Sequence, residues 1–278
     1  MIVVLARLAF AAIRARLLAS TLTVAIAAAV VASLVVALEV RATGVEPWQR
    51  TFDAAHGAHV LASTPNESDA RAIAAGHDVV ERAEPVPVAS TQIELPSGPV
   101  DVLVAGLDGR PRVNAPVSTE GSMPEGDRIV LERSLAEALN IPVGSTVEVA
   151  GADAPIRLQV VGTAISPAQA RYPRSNPGLA WLTRATLERI QPDPGQWRWS
   201  VGVRIRDPGA APSFAERAVG DFPPQTVSAS PWQDQRDEAL RDAEPASIIL
   251  SAFTLMLLIV AAAVVSILVG ARVSAQNR

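Results

Sequence analysis

The chain has 278 residues, 49% hydrophobic and 4% aromatic, with 22 Pro, 17 Gly, no Cys and a formal charge of -4. It is too apolar for disorder and too rich in proline for an all-helical bundle. The lack of Cys excludes a disulfide framework and any Cys-ligated metal or redox site. The lack of Lys excludes a Walker-type ATPase, whose P-loop needs a Lys for the nucleotide phosphates.

Residues 1–16 read as an amphipathic N-terminal helix, with Leu5, Leu8 and Ala12 on one side and Arg7 and Arg14 sharing a face. It is either a helix at the cytoplasmic membrane surface or the start of the first span, and both readings stay open. Leu17 to Leu38 carries no ionisable side chain, and neither does Ala246 to Ala271. At ~1.5 Å per residue, each run is long enough for a hydrocarbon core of ~30 Å. The first is too long for a signal peptide, and the residues after it make a poor cleavage site. The second is apolar all round, unlike a core helix with a polar stripe. The sequence therefore predicts transmembrane helices at 17–40 and 246–271, with a cytoplasmic stub at 272–278.

All 28 acidic residues lie between Glu39 and Pro245, whereas the ends carry only Arg7, Arg14, Arg16, Arg272 and Arg278. The positive-inside rule then places both termini in the cytoplasm and the middle outside. Arg41, Arg50, Arg236 and Arg241 lie near the outer ends of the spans, so the contrast is one of density.

Between the spans the pattern is mixed α/β. Ala58–Ser63 reads as a strand, Asn66–Ala75 as a helix capped by Asn66 or Ser68, and Val79–Ala89 as a Pro-broken edge strand. Ile93–Leu95 and Val100–Ala105 flank Pro96-Ser97-Gly98-Pro99 as a hairpin. Then follow strand Arg128–Leu131, helix Ser134–Asn140, and strands Thr146–Val149, Ile156–Ile165 and Leu179–Leu182. Thr183 caps a helix to Ile190. Trp199–Ile205 alternates as a strand, Ala211–Val219 is a helix and Thr226–Ala229 a strand. A polar helix from Trp232 leads toward the second span. Residues 41–245 thus form the outer core domain. Within it, 41–89 plus 194–231 are two βαβ halves sharing a sheet, and 90–193 is an inserted β-rich subdomain. The fold class is an α+β membrane protein: two transmembrane helices flanking a mixed α/β domain.

Catalytic signals are weak. His56, His59 and His77 lack the carboxylate or thiol partners of a metal site, so surface histidines are the simpler reading. Gly121-Ser122 lacks the second glycine of a nucleophile elbow. Asp108, Asp127 and Asp153 sit in turns, where Asp bonds the backbone. No catalytic, cofactor-binding or metal residue is assigned, and no cofactor is expected. The acidic middle segment, without basic runs, excludes nucleic acid as a partner. Trp48 and Trp232 flank the two spans and either anchor at the interface or pack in the domain. The loop Pro167–Pro177, with Arg171, Tyr172 and Arg174, is either a contact loop or an ordinary connection.

Four stretches carry a family resemblance. The first is Arg7 to Val40. The second combines Asp127-Arg128-Ile129-Val130-Leu131 with Leu135 to Ile141, Val143-Gly144-Ser145-Thr146-Val147 and Val160-Val161-Gly162. The third is Ala180-Trp181-Leu182-Thr183 followed by Val203 to Pro208. The fourth is the second apolar run ending in Gly270 to Arg278. In order and spacing the chain resembles the FtsX/MacB-like family of ABC transporter permeases. The resemblance implies porter-like halves, a separate ABC ATPase subunit as partner, a second permease subunit in a dimer, and residence in the bacterial inner membrane. It also implies that ATP binding is transmitted through the spans to the outer domain, for export or mechanotransmission. An extracytoplasmic protein or lipid partner is compatible with it. Such permeases have four spans or more, so the chain reads as truncated after its second. The alternatives are a two-span sensor with an outer ligand-binding domain and a regulator of an envelope enzyme.

Overall fold

The computed structural model describes residues 46–238 together with Leu255, Met256 and Ile259. The terminal helix, both apolar spans (apart from these three exposed residues) and the C-terminal stub lie outside the described residues. No helix among the described residues is long and apolar enough to cross a membrane. Residues 47–239 form one compact unit.

The chain comes in through helix α1 (Glu46–Ala54), whose existence the sequence reading missed. Strand β1 (Val60–Thr64), helix α2 (Glu67–Ala74) and strand β2 (Val79–Arg82) follow. Strand β10 (Arg198–Ile205), helix α5 (Ala211–Gly220) and strand β11 (Ser228–Pro231) repeat that order near the other end. β1 lies between β11 and β10, antiparallel to both, and β2 pairs with the far edge of β10. Strand alternation gives this open sheet two faces. Val60, Ala62, Val201 and Val203 are buried in a common core with Ile73 of α2 and Phe214 of α5. The other face carries Leu61, Ser63, Ser200 and Gly202.

Between the two βαβ units run strands β3 (Val86–Glu94), β4 (Val100–Leu107), β5 (Val117–Gly121), β6 (Arg128–Glu132), β7 (Thr146–Val149), β8 (Ile156–Ile165) and β9 (Gly178–Thr183). Helix α3 (Arg133–Leu139) follows β6, and α4 (Arg184–Ile190) follows β9. The pairings β3–β4, β4–β9, β9–β6, β6–β8, β8–β7 and β7–β3 return to their starting strand and so close a barrel. Closure removes the open strand edges that a sheet would otherwise have to protect. Ile93, Val102, Val104, Ile129, Leu131 and Leu182 are all fully buried in its core. β3 belongs to both parts: Val86–Val88 pair with β10, and the rest of the strand pairs with β4 and β7.

Several sequence boundaries need correction. Val79–Ala89 is two strands, β2 and β3, parted at Ala83-Glu84-Pro85. Pro85 has no N–H to continue a ladder, so pairing restarts beyond it. β3 then runs unbroken into the stretch read as the first hairpin strand. β5 was missed because its residues are mostly exposed and give no apolar alternation. The last strand lies at Ser228–Pro231 instead of Thr226–Ala229, after a turn in which Gln225 has φ of 65°. Asn66 does precede α2, but its side chain donates to Asp69 at 3.1 Å and makes no cap bond. Thr183 caps α4 as expected, its hydroxyl accepting from the Thr186 N–H at 3.3 Å.

Candidate functional site

Two places bring together residues from distant parts of the chain. The first is where the chain arrives and departs. α1 presents Trp48 and Phe52 one turn apart, and residues 232–238 are helical from Trp232 onward. Trp48 stacks on Phe52 with ring centroids 4.9 Å apart and on Trp232 at 6.2 Å. Phe52 lies 6.1 Å from Trp232, completing a three-ring clasp. Aromatic contacts of this kind add about 0.5–1.5 kcal/mol each beyond burial. Polar bonds fix the rings: the Trp48 indole donates to the Pro167 carbonyl at 3.3 Å and the Trp232 indole to that of Pro208 at 3.0 Å. The Arg236 guanidinium lies 5.3 Å from the Trp232 ring centre. Gly57 is required beneath, since a Cβ there would meet the Phe52 ring at 2.3 Å. The two tryptophans therefore pack on each other inside the domain.

His59 sits beside the clasp. Its backbone carbonyl accepts the Trp232 N–H at 2.9 Å. Its ring Nδ1 lies 3.1 Å from both the nitrogen and the carbonyl oxygen of Ile205. A backbone N–H can only donate, so the neutral ring with its proton on Nε2 satisfies it. Burial, and next the neighbouring Arg204 charge, push the imidazole pKa below its ordinary value.

The second place is a pocket of about 420 Å³ on the face of the sheet opposite α2 and α5. Its floor runs from the open sheet onto the barrel's outer wall. Loop residues such as Pro111, Val113, Ala168 and Gln169 form its walls. Trp181, buried with Ala105, Leu107 and Val130 in a separate small core, lies at one end.

The other sequence candidates are dispersed. His56, in a left-handed conformation at φ of 50°, contacts Glu81 at 2.6 Å. That hydrogen bond is the main cause of the Glu81 carboxyl being held below its ordinary pKa. His77 is exposed next to Asp78. Among the described residues, no group of three His, Asp or Glu is placed to hold a metal. Gly121 has φ of 69° at a point where β5 crosses so close to β8 that a Cβ would meet the Val161 carbonyl at 2.1 Å. Asp108 and Asp127 do not serve the backbone as expected. They pair with Arg184 (3.1 Å) and Arg189 respectively, and so pin α4. The backbone-bonding turn aspartates are Asp193 and Asp207, each accepting an N–H two residues on at 2.9 Å. Asp153 is exposed in its turn. In the loop 167–177, the Tyr172 N–H donates to Ser134 Oγ at 2.7 Å, and the Gln169 amide donates to Ser175 Oγ at 2.6 Å. It is a pinned connection with Arg171 and Arg174 exposed.

A family model described as the MacB-like periplasmic core domain matches residues 17–220. The chain belongs to that family. It is thereby a member of the MacB/FtsX-like ABC transporter permeases. Among solved structures, it is similar to the extracellular domain of the noncanonic ABC-type transporter YknZ from Gram-positive bacteria. That match has 11% identity and a TM-score of 0.38, covering 62% of this chain and 99% of that one. It is also similar to the periplasmic region of MacB from Actinobacillus actinomycetemcomitans, with 12% identity and a TM-score of 0.39, covering 69% and 97%. No match was found among curated protein sequences. In this MacB-like core domain the clasp and the pocket were invisible to sequence reasoning. The clasp joins residues far apart in the chain, and the pocket is made of ordinary strand positions. Flanking tryptophans were the one available signal.

Proposed function

We propose that the chain is a permease subunit that couples a separate ABC ATPase to its extracytoplasmic domain, with both termini cytoplasmic and a second permease subunit as its partner in a dimer. The observation that carries this reading is the clasp. In a MacB-like core domain, the segments leading from and toward the two apolar runs are held to each other by Trp48, Phe52 and Trp232. A displacement of either segment then acts on the domain through one packed joint. The hydrolytic work belongs to another subunit, because these 278 residues contain no Lys to serve a P-loop. The output is export or mechanotransmission.

The test is ATP turnover by the assembled complex in a bilayer. Trp232→Ala should leave assembly and the circular dichroism of the domain intact while lowering the response of turnover to the permease several-fold. An unchanged response would remove the clasp from the coupling route. Failure of any ATPase subunit to co-purify with the wild-type chain would overturn the permease reading.

A further inference from the structure

The pocket beside the barrel has an order that the register makes visible. Arg198 of β10 pairs with Val88 of β3, Val88 with Ala105 of β4, and Ala105 with Trp181 of β9. All four line the pocket, so they form one row across its floor. Three strand spacings of ~4.8 Å make the row about 15 Å long, a length that suits an extended dodecyl chain. A parallel row, Ser90, Leu103 and Leu179, runs alongside it. The volume of about 420 Å³ falls within the range of small-molecule sites.

The charge pattern is one-sided. Among the described residues, Arg198 is the charged side chain of the pocket lining, which includes no carboxylate, although acidic residues outnumber basic ones 28 to 24 in the chain. Arg198 is also held in place. Its Nε donates to Ser63 Oγ at 3.0 Å, and its Nη2 donates to the carbonyls of Ser63 at 3.0 Å and Thr226 at 3.2 Å. These bonds use Nε and Nη2, and leave the Nη1 donors for a ligand. A fixed guanidinium at one end of an apolar trough suits a carboxylate or phosphate joined to a hydrocarbon chain.

We propose that this pocket binds a single-chain amphiphile with an anionic head, the head at Arg198 and the chain laid across Val88 and Ala105 toward Trp181. This goes beyond the permease reading and does not depend on an ATPase.

The experiment uses the full chain in nanodiscs of zwitterionic phospholipid. The probes are dodecanoate with a terminal bromine, which quenches tryptophan on contact, and the matching trimethylammonium amphiphile. Saturable quenching by the acid and not by the ammonium is expected. It should vanish in Trp181→Phe, whose unbrominated competitor still binds, and in Val88→Phe, which fills the trough. Arg198→Glu should weaken the acid at least about tenfold and favour the ammonium. If zwitterionic brominated phospholipid in the disc quenches Trp181 and the dissolved acid does not, the pocket takes bilayer lipid and the anionic single-chain proposal is overturned. Quenching that ignores head charge and survives in Trp181→Phe would overturn the proposal, as would no binding by a Val88→Phe-sensitive route. Circular dichroism of each variant separates loss of binding from loss of fold. ATP turnover of the complex is not a readout here, so failure of this site leaves the coupling test standing.

Discussion

The barrel and the open sheet are made from the same kinds of residue, but they differ in where strands end. Around the barrel ring each strand has a partner on both edges. In the open sheet, β11 pairs only with β1 and β2 only with β10 among the described residues. On the barrel side β5 also pairs only with β8 among the described residues, but it lies outside the ring. The clasp is carried by the open sheet, and local opening is easiest where fewest neighbours must be given up. The difference teaches that closed pairing is kept in the ring, while the clasp is attached to the sheet with open edges.

The strongest test of this contrast is a cavity in the barrel. Leu182 is fully buried in the main core. Leu182→Ala should cost about 2–5 kcal/mol and unfold the domain as a whole in a urea titration. A loss confined to β9 and α4 by hydrogen exchange, with the open sheet still protected, would show that the two parts unfold separately.

A smaller effect should come from the open sheet. The His59 ring is kept neutral in the fold, so its folded pKa lies below its unfolded value. The unfolded chain takes up a proton near pH ~6.5 that the folded chain refuses. This contribution to stability is therefore full above that pH and is lost as pH falls below it toward the folded pKa. Thermal melts between pH 7.5 and 5 should show a falling midpoint. His59→Gln should flatten that slope, and hydrogen exchange at the lower pH should rise first in β10 and the helix after Trp232. A midpoint independent of pH would remove His59 from the joint.

The smallest effect is back on the barrel. Asn140 ends α3 in the left-handed region at φ of 54°. Asn tolerates that region better than other L-residues, and Gly better still. Asn140→Ala should cost roughly 1 kcal/mol by denaturant midpoint, and Asn140→Gly close to nothing. A cost for Gly equal to that for Ala would mean that the side chain, not the backbone angle, matters there.

How much of this was legible in the chain depends on how local each feature is. The Thr183 cap and the alternation of Trp199–Ile205 are decided within a few residues, and they were read correctly. β5 was not, because an exposed strand leaves no apolar signature. The βαβ symmetry could be inferred from element order, but closure of the barrel could not. It rests on pairings such as β4 with β9, more than seventy positions apart in register pairs like Leu103 with Leu179. The clasp and the pocket are hidden for the same reason. Trp48 and Trp232 lie at opposite ends of the domain sequence, and Arg198 meets Val88 and Trp181 only through register.

One feature of the fold acts at a distance. Because β3 leaves β10 and continues into the barrel, the two parts share one continuous strand. The strand works as a shaft with the joint near one end and the Pro96-Ser97-Gly98-Pro99 tip at the other. Gly98 has φ of 117° and nothing within 4 Å of where a Cβ would stand, so the tip projects into open space. A tilt at the foot of such a shaft would be largest at the tip, like the pointer of a gauge. In a chain without a native thiol, a single cysteine at Ser97 would make that pointer readable.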